Sequence, residues 1–192
     1  MALDFLSEFR RREGESDIRK ARWYIIATSA LTAASAGEHI GELYRQITAG
    51  LSLEDRKIVQ RRIKEAILKG SILYGVPRSA TAFTSLYAML PDDEVDTYSP
   101  RMENFDKPGD EQRRAERGRN YFDTLWGGPT GGQAQRDRAS KYYPDAGWHL
   151  NGLLRHGATK EEAQFAQDLA LAVAQQFNVK TGSITKVEDV KL

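Results

Sequence analysis

Residues 23 to 37 read WYIIATSALTAASAG, fifteen positions without a charged side chain. A helix that is apolar on every side belongs inside a protein. A membrane-crossing helix needs about 20 such residues. The stretch is therefore expected to be the central helix of an all-α core, running from Asp17 to Ala36. Its many Ala, Ser and Thr side chains let neighbouring helices come close.

Outward from that helix the pattern stays helical. Ile40, Leu43, Tyr44 and Ile47 recur at helical spacing and make one apolar stripe. Gly50 stands where a left-handed residue ends a helix, and Ser52 caps the next, with Glu54 and Asp55 at its positive end. Along this third helix Val59, Ile63 and Ile67 form one apolar face, and Leu68 and Ile72 add the opposite face. The helix is thus expected to start on the surface and end buried. Gly75-Val76-Pro77 breaks it, and Ser79 to Leu90 forms another helix.

The expected organisation is an N-terminal arm over 1–16, a helical unit over 17–90, a proline-containing linker or wrapping arm over 91–110, a second helical segment of the same domain over 111–180, and a loose tail over 181–192. Within the second segment, helices are predicted over 110–126, 134–143 and 145–155. Thr159 and Glu162 form a capping box that opens the last helix. No segment shows sustained period-2 alternation, so the fold class is all-α. KARWYIIATSALTAA and EEAQFAQDLALAVAQQ faintly echo one another.

Composition excludes several functions. The chain of 192 residues carries 28 basic and 27 acidic side chains, a net charge of +1, which argues against nucleic-acid and anionic-membrane partners. With no cysteine, disulfides and thiolate catalysis are impossible. The N-terminus resembles neither a secretory signal nor a transit peptide, so a cytoplasmic protein is expected; the C-terminal Val190-Lys191-Leu192 only faintly suggests a peroxisomal address. Three histidines without cysteine make a metal site unexpected. GGPTGG at 127–132 lacks a following Lys-Ser/Thr and is no phosphate loop. It reads as a mobile lid or a connection. No cofactor is implied.

Segment 20–90 resembles a carboxymuconolactone decarboxylase unit of the alkyl hydroperoxidase D-like superfamily. The likeness lies in IIATSALTAASAGEHIGELYRQITAG, LSLEDRK and KEAILKGSILYGVPRSATAF. GRNYFDTLWGG and YYPDAGWHLNGLLRHGATKEEAQFAQDLALAVAQQ resemble the opening of a second such unit. The resemblance implies a helical bundle assembled as a dimer, trimer or hexamer. The peroxidase branch carries two cysteines and a histidine at positions that fall near Ser35, Glu38 and Glu42; none is retained. The decarboxylase branch carries Glu and His four apart. Here Glu38 remains, Glu42 replaces the histidine, and His39 lies one residue aside.

Several residues are candidates for acid–base chemistry on a small-molecule substrate. Glu38 and Glu42 lie opposite the apolar stripe with Arg45. In open water they are a solvated face with a weak Glu42–Arg45 pair. In a dry cleft they repel, one pKa rises, and a proton donor results. His39 beside them is a proton shuttle or a half-buried histidine. Glu65, on the face of Leu68 and Ile72, is a general base lifted by apolar walls or a partner of Arg61 or Lys69. Tyr74 and Arg78 flank the Gly-Val-Pro turn, where Arg78 suits a substrate carboxylate. Trp126 and His149 are the second segment's candidates for substrate contact. The leading expectation is a cofactor-free decarboxylase, isomerase, cyclase or eliminase. The rivals are a non-enzymatic helical oligomer and a binding protein for a hydrophobic metabolite.

Overall fold

A computed structural model of the chain describes residues 2–99, 101–103, 105, 107–131, 133, 147–182 and 184–190, with the side chains of 147–149 left out. Every regular element among the described residues is helical. They divide into two compact units: Met1–Tyr98 with Ala166–Thr181, and Ser99–Phe165 with Gly182–Leu192.

The first unit opens with α1 (Leu6–Glu13) inside the expected arm. Leu3, Leu6 and Phe9, spaced by three, are buried, while Arg10, Arg11 and Arg12 are exposed. The charge run masks this face in the sequence. The Glu13 carboxylate accepts hydrogen bonds from the Arg22 and Trp23 backbone N–H groups at 2.8 and 3.2 Å. That cap starts α2 (Trp23–Ala33) at Trp23 rather than at Asp17.

The uncharged helix is central as expected: Trp23, Tyr24, Ala27, Thr28, Leu31 and Thr32 are all buried. Its hydroxyls need partners there, and the helix itself supplies them. Thr28 Oγ1 donates to the Tyr24 carbonyl at 2.7 Å and Thr32 Oγ1 to the Thr28 carbonyl at 2.8 Å. Tyr24 donates to the Ile18 carbonyl and accepts from Arg62, at 3.0 and 2.7 Å.

A 3₁₀ turn, Gly37–His39, leads into α3 (Ile40–Thr48), whose predicted stripe is fully buried. Both elements lie against α5 (Val76–Tyr87) with almost no space between backbones. A Cβ added at Gly41 would sit 2.5 Å from the Ser85 carbonyl oxygen; one at Gly37 would sit 3.0 Å from the Ala82 nitrogen. Ser85 Oγ fills the polar gap, accepting from Gly41 N–H at 2.9 Å and donating to the Glu38 carbonyl at 2.5 Å.

The long helix α4 (Leu53–Tyr74) is capped by Ser52 as expected, through the Asp55 N–H. Val59, Ile63 and Ile67 form its core face. The expectation that it ends buried is overturned. Burial stops at Ile67, and Ile72, Leu73 and Val76 are 88, 76 and 76 % exposed. The predicted second apolar face is real in sequence but finds no cover among the described residues.

Residues 91–98 are the wrapping arm among the two alternatives. Glu94 pairs with Arg56 at 2.8 Å, and the Gln60 side chain bridges the Glu94 carbonyl and the Asp96 N–H. Asp96 is buried and accepts from Nε and Nη2 of Arg61, one edge of the guanidinium, at 3.1 Å each, with Lys64 at 3.6 Å. Burial alone would raise the Asp96 carboxyl. The Arg61 hydrogen bonds, the Lys64 and Arg61 charges and the Tyr98 N–H outweigh it and hold the carboxyl below its ordinary value.

In the second unit α6 (Asp110–Leu125) packs on α7 (Gly147–Arg155). The Thr159–Glu162 capping box forms as read and opens α8 (Lys160–Gln176). The tail is not loose: Val187 and Val190 are buried with Leu154 and Ala163, in a cluster that Leu150 flanks. Their apolar side chains flank one short 3₁₀ turn, Val187–Asp189, too brief for a periodic signal. At GGPTGG, Gly127 and Gly128 close the end of α6 and residues 129–131 turn helically; the helix expected over 134–143 lies outside the described residues.

Gly41→Ala is expected to lower unfolding stability by about 1–3 kcal/mol, because backbone rather than a movable side chain blocks the methyl group; urea denaturation measures it. A second expectation concerns acid. The Asp96 contribution is complete above the ordinary carboxyl value near 4 and is lost as pH falls through the lowered value. Asp96→Asn should cost about 1–3 kcal/mol at pH 7 and flatten the acid limb of the stability–pH curve.

Candidate functional site

The apolar stripe of α3 turns Glu42 and Gln46 to its outer face, with His39 at the helix start. His39 Nδ1 lies 3.6 Å from Glu42 Oε2, an ion pair when the imidazole is protonated. Gln46 Nε2 donates to the other Glu42 oxygen at 3.3 Å. Glu42 thus takes its partners from His39 and Gln46 rather than from Arg45. The His39 ring lies 5.0 Å from Phe177 near the end of α8, tilted by 42°. Under this cover the His39 and Glu42 side chains are only 26 and 19 % exposed. The face is neither dry nor fully wet.

Gln46 also lines an open cleft of about 260 Å³ with Asp4, Leu6, Ser7, Arg10 and Trp23, from α1 and the start of α2. A polar chain therefore runs from His39 through Glu42 and Gln46 to a concave surface.

Within the first unit, the side chains of Glu38, Glu65, Tyr74 and Arg78 have other surroundings. Glu38 is exposed, and the anchored atom is its backbone carbonyl, on Ser85. Glu65 is half-buried on α4, but the apolar walls expected around it, Leu68 and Ile72, are exposed. Its expected partner Arg61 also holds Asp96, through Nε and Nη2. The side-chain bond between α4 and α3 is Gln60 to Tyr44, at 3.1 Å.

Tyr74 folds back along α4 over Gly70, and its hydroxyl donates to the Ile67 carbonyl at 2.9 Å; burial raises its pKa. Arg78 Nη1 donates to the Ala33 carbonyl at 2.6 Å, closing the end of α2. Both have structural employment. In the second unit Trp126 stands 6.1 Å from Phe122, and His156 stacks on Tyr121 at 4.2 Å. The side chain of His149 lies outside the described residues. No helix of the described residues is long and apolar enough to cross a membrane, and no group of three or more His, Asp or Glu among them could hold a metal ion.

Sequence reading missed Gln46, Phe177, Ser85 and the cleft. The Glu42–Gln46 spacing of four was a usable signal. Nothing local announces Phe177, which is distant in the chain.

The segment entering the site is strained. Ala36 N–H bonds to the Leu31 carbonyl and Ser35 N–H to that of Thr32, a Schellman closure with Ser35 at the left-handed position, φ 61°. The same closure ends α8 with Asn178 at φ 54°. Glycines serve at the ends of α6 and α7. Serine at such a position costs roughly 1 kcal/mol.

Compared with protein-family models, with curated proteins and with solved structures, the chain matches none of them.

Ser35→Gly should raise stability by about 0.5–1 kcal/mol by relieving the left-handed serine, less the entropy glycine gains when unfolded. Thermal unfolding under reversible conditions checks the sign.

Proposed function

We propose that the chain is a cofactor-independent acid–base enzyme of the carboxymuconolactone decarboxylase type. It acts on a small carbonyl, lactone or polyketide-like molecule, with His39 and Glu42 as the proton-transferring pair. The observation that carries this reading is the half-buried His39–Glu42 contact on the helix whose sequence resembles the family's motif helix. A carboxylate at Nδ1 fixes the ring and leaves Nε2 to take or give a proton. A separation of 3.6 Å is loose, as such pairs are before substrate closes on them. Glu38, one position before the pair, is the carboxylate the resemblance retains; in this version it has no role in proton transfer. Isomerisation, cyclisation and elimination begin with proton removal at carbon beside a carbonyl, and decarboxylation ends with proton delivery to that carbon after CO₂ has left, so the pair serves each of them.

A second reading, a non-enzymatic helical oligomer, is favoured by the uncovered Ile72, Leu73 and Val76 at the α4–α5 corner. Exposed apolar side chains grouped in this way mark association surfaces.

Deuterium exchange tests the enzyme without knowledge of its substrate. A panel of β-keto acids, unsaturated lactones and β-diketones is incubated with the protein in D₂O and followed by NMR. The wild type should accelerate exchange beside the carbonyl in at least one of them. Glu42→Gln and His39→Asn should each reduce that acceleration by about 10²–10⁴-fold. A wild type that exchanges none of the panel, while light scattering finds a closed oligomer, would favour the second reading.

A further inference from the structure

We infer that the cleft between α1, the start of α2 and α3 is a binding site for a small carboxylate with an apolar body. This inference does not rest on the acid–base reading. It rests on the chemistry of the lining.

The cleft holds about 260 Å³. At about 30 Å³ per water-sized group, it admits a ligand of some eight or nine heavy atoms. Leu6 and Trp23 form its apolar floor and are exposed only 1 and 3 % there.

The polar lining is asymmetric. Ser7 and Arg10 lie one turn apart on α1, so a hydroxyl and a guanidinium stand next to each other on the cleft side. Most cations around them are committed: Arg12 to Asp168, Arg19 to Asp55, Arg22 to Glu13. No carboxylate among the described residues pairs with Arg10. A guanidinium left open at the rim of a small apolar cleft is suited to a bidentate carboxylate.

Asp4 is the one lining group that opposes an anion. It precedes α1 and is already engaged within the chain, whereas Arg10 lies in the second turn of that helix. It therefore repels an anion at its own end and directs the carboxylate toward Arg10. The opposite wall is Gln46. One amide hydrogen is spent on Glu42, which fixes the side chain; its carbonyl oxygen and second hydrogen remain for a guest. His39 and Glu42 are in this respect positioning residues for the cleft.

The test is a titration of the full ¹⁵N-labelled chain with hexanoate at low ionic strength, with hexanol and hexanamide as neutral comparators. Saturable shifts are expected at the amides of Ser7, Arg10 and Gln46. Hexanoate should bind at least tenfold more tightly than either comparator, and added salt should shrink the difference. Arg10→Gln, a change at an exposed position that leaves the remaining spectrum folded, should abolish the preference. Shifts that fail to saturate, shifts centred elsewhere, comparators that bind as tightly as hexanoate, or an Arg10→Gln variant with the preference intact would each overturn the assignment. The readout is binding, not turnover. A failed exchange assay with successful hexanoate binding removes the enzyme and keeps the site; the converse removes only the site.

Discussion

The structure depends on one constraint: the core face of α2 is buried and the helix must satisfy the polar groups on it. Threonine is an unusual choice for such a helix, since its hydroxyl costs free energy when buried alone. Here each buried hydroxyl bonds the carbonyl one turn back, at 2.7 and 2.8 Å, so the helix meets its neighbours as if it were apolar. The two ends cannot be solved internally, because a helix leaves four N–H and four carbonyl groups without partners. Glu13 closes the first end, and Arg78 with the Schellman turn at Ser35 closes the second. Elements that look peripheral in sequence, α1 and the Gly-Val-Pro corner, are needed for the central helix to exist.

That requirement also explains why several reactive-looking side chains bond to the scaffold. Arg78 and Tyr74 flank a turn in the manner of substrate-orienting groups, yet each serves a backbone carbonyl. Arg61 and Lys64, beside Glu65, are drawn to the buried Asp96 of the wrapping arm. A carboxylate placed under an arm has to be compensated, and α4 supplies the charges. What is left is the outer face of α3, where His39, Glu42 and Gln46 bond to one another rather than to the scaffold. The small residues Gly37 and Gly41 make this possible, because they let α3 lie directly on α5 without using a long side chain of its own.

Much of this was legible in the chain and some was not, for physical reasons. The central helix, the Ser52 cap, the α3 stripe and the Thr159 box are local patterns, and local patterns survive into the fold. Helix α1 escaped because its buried residues, Leu6 and Phe9, are few and run directly into three arginines. The tail escaped because two valines are too few for periodicity. The α4 terminus misled in the opposite direction. Leu68, Ile72 and Leu73 are a correct apolar pattern, but pattern cannot say whether a chain covers its own faces or leaves them for a neighbour. For the site, the polar outer face of α3 was readable, whereas the contacts made by Gly41 and His39 with Ser85 of α5 and Phe177 after α8 belong to tertiary structure.

The placement of strain follows the same logic. Serine at φ 61° is tolerated where the surrounding contacts fix the turn: Leu31 and Ala36 on either side of it are buried, and Gly37 is wedged against Ala82 immediately after. Strain held in this way persists only where structure over-determines it. The turn is also what sets the direction of the 3₁₀ segment, and so the position of His39 above Glu42. A glycine at 35 would relax the backbone but would also free the entry to α3. The site's geometry is therefore bought at Ser35, one turn before the residues that use it, and the stability it costs is small beside the burial of α2.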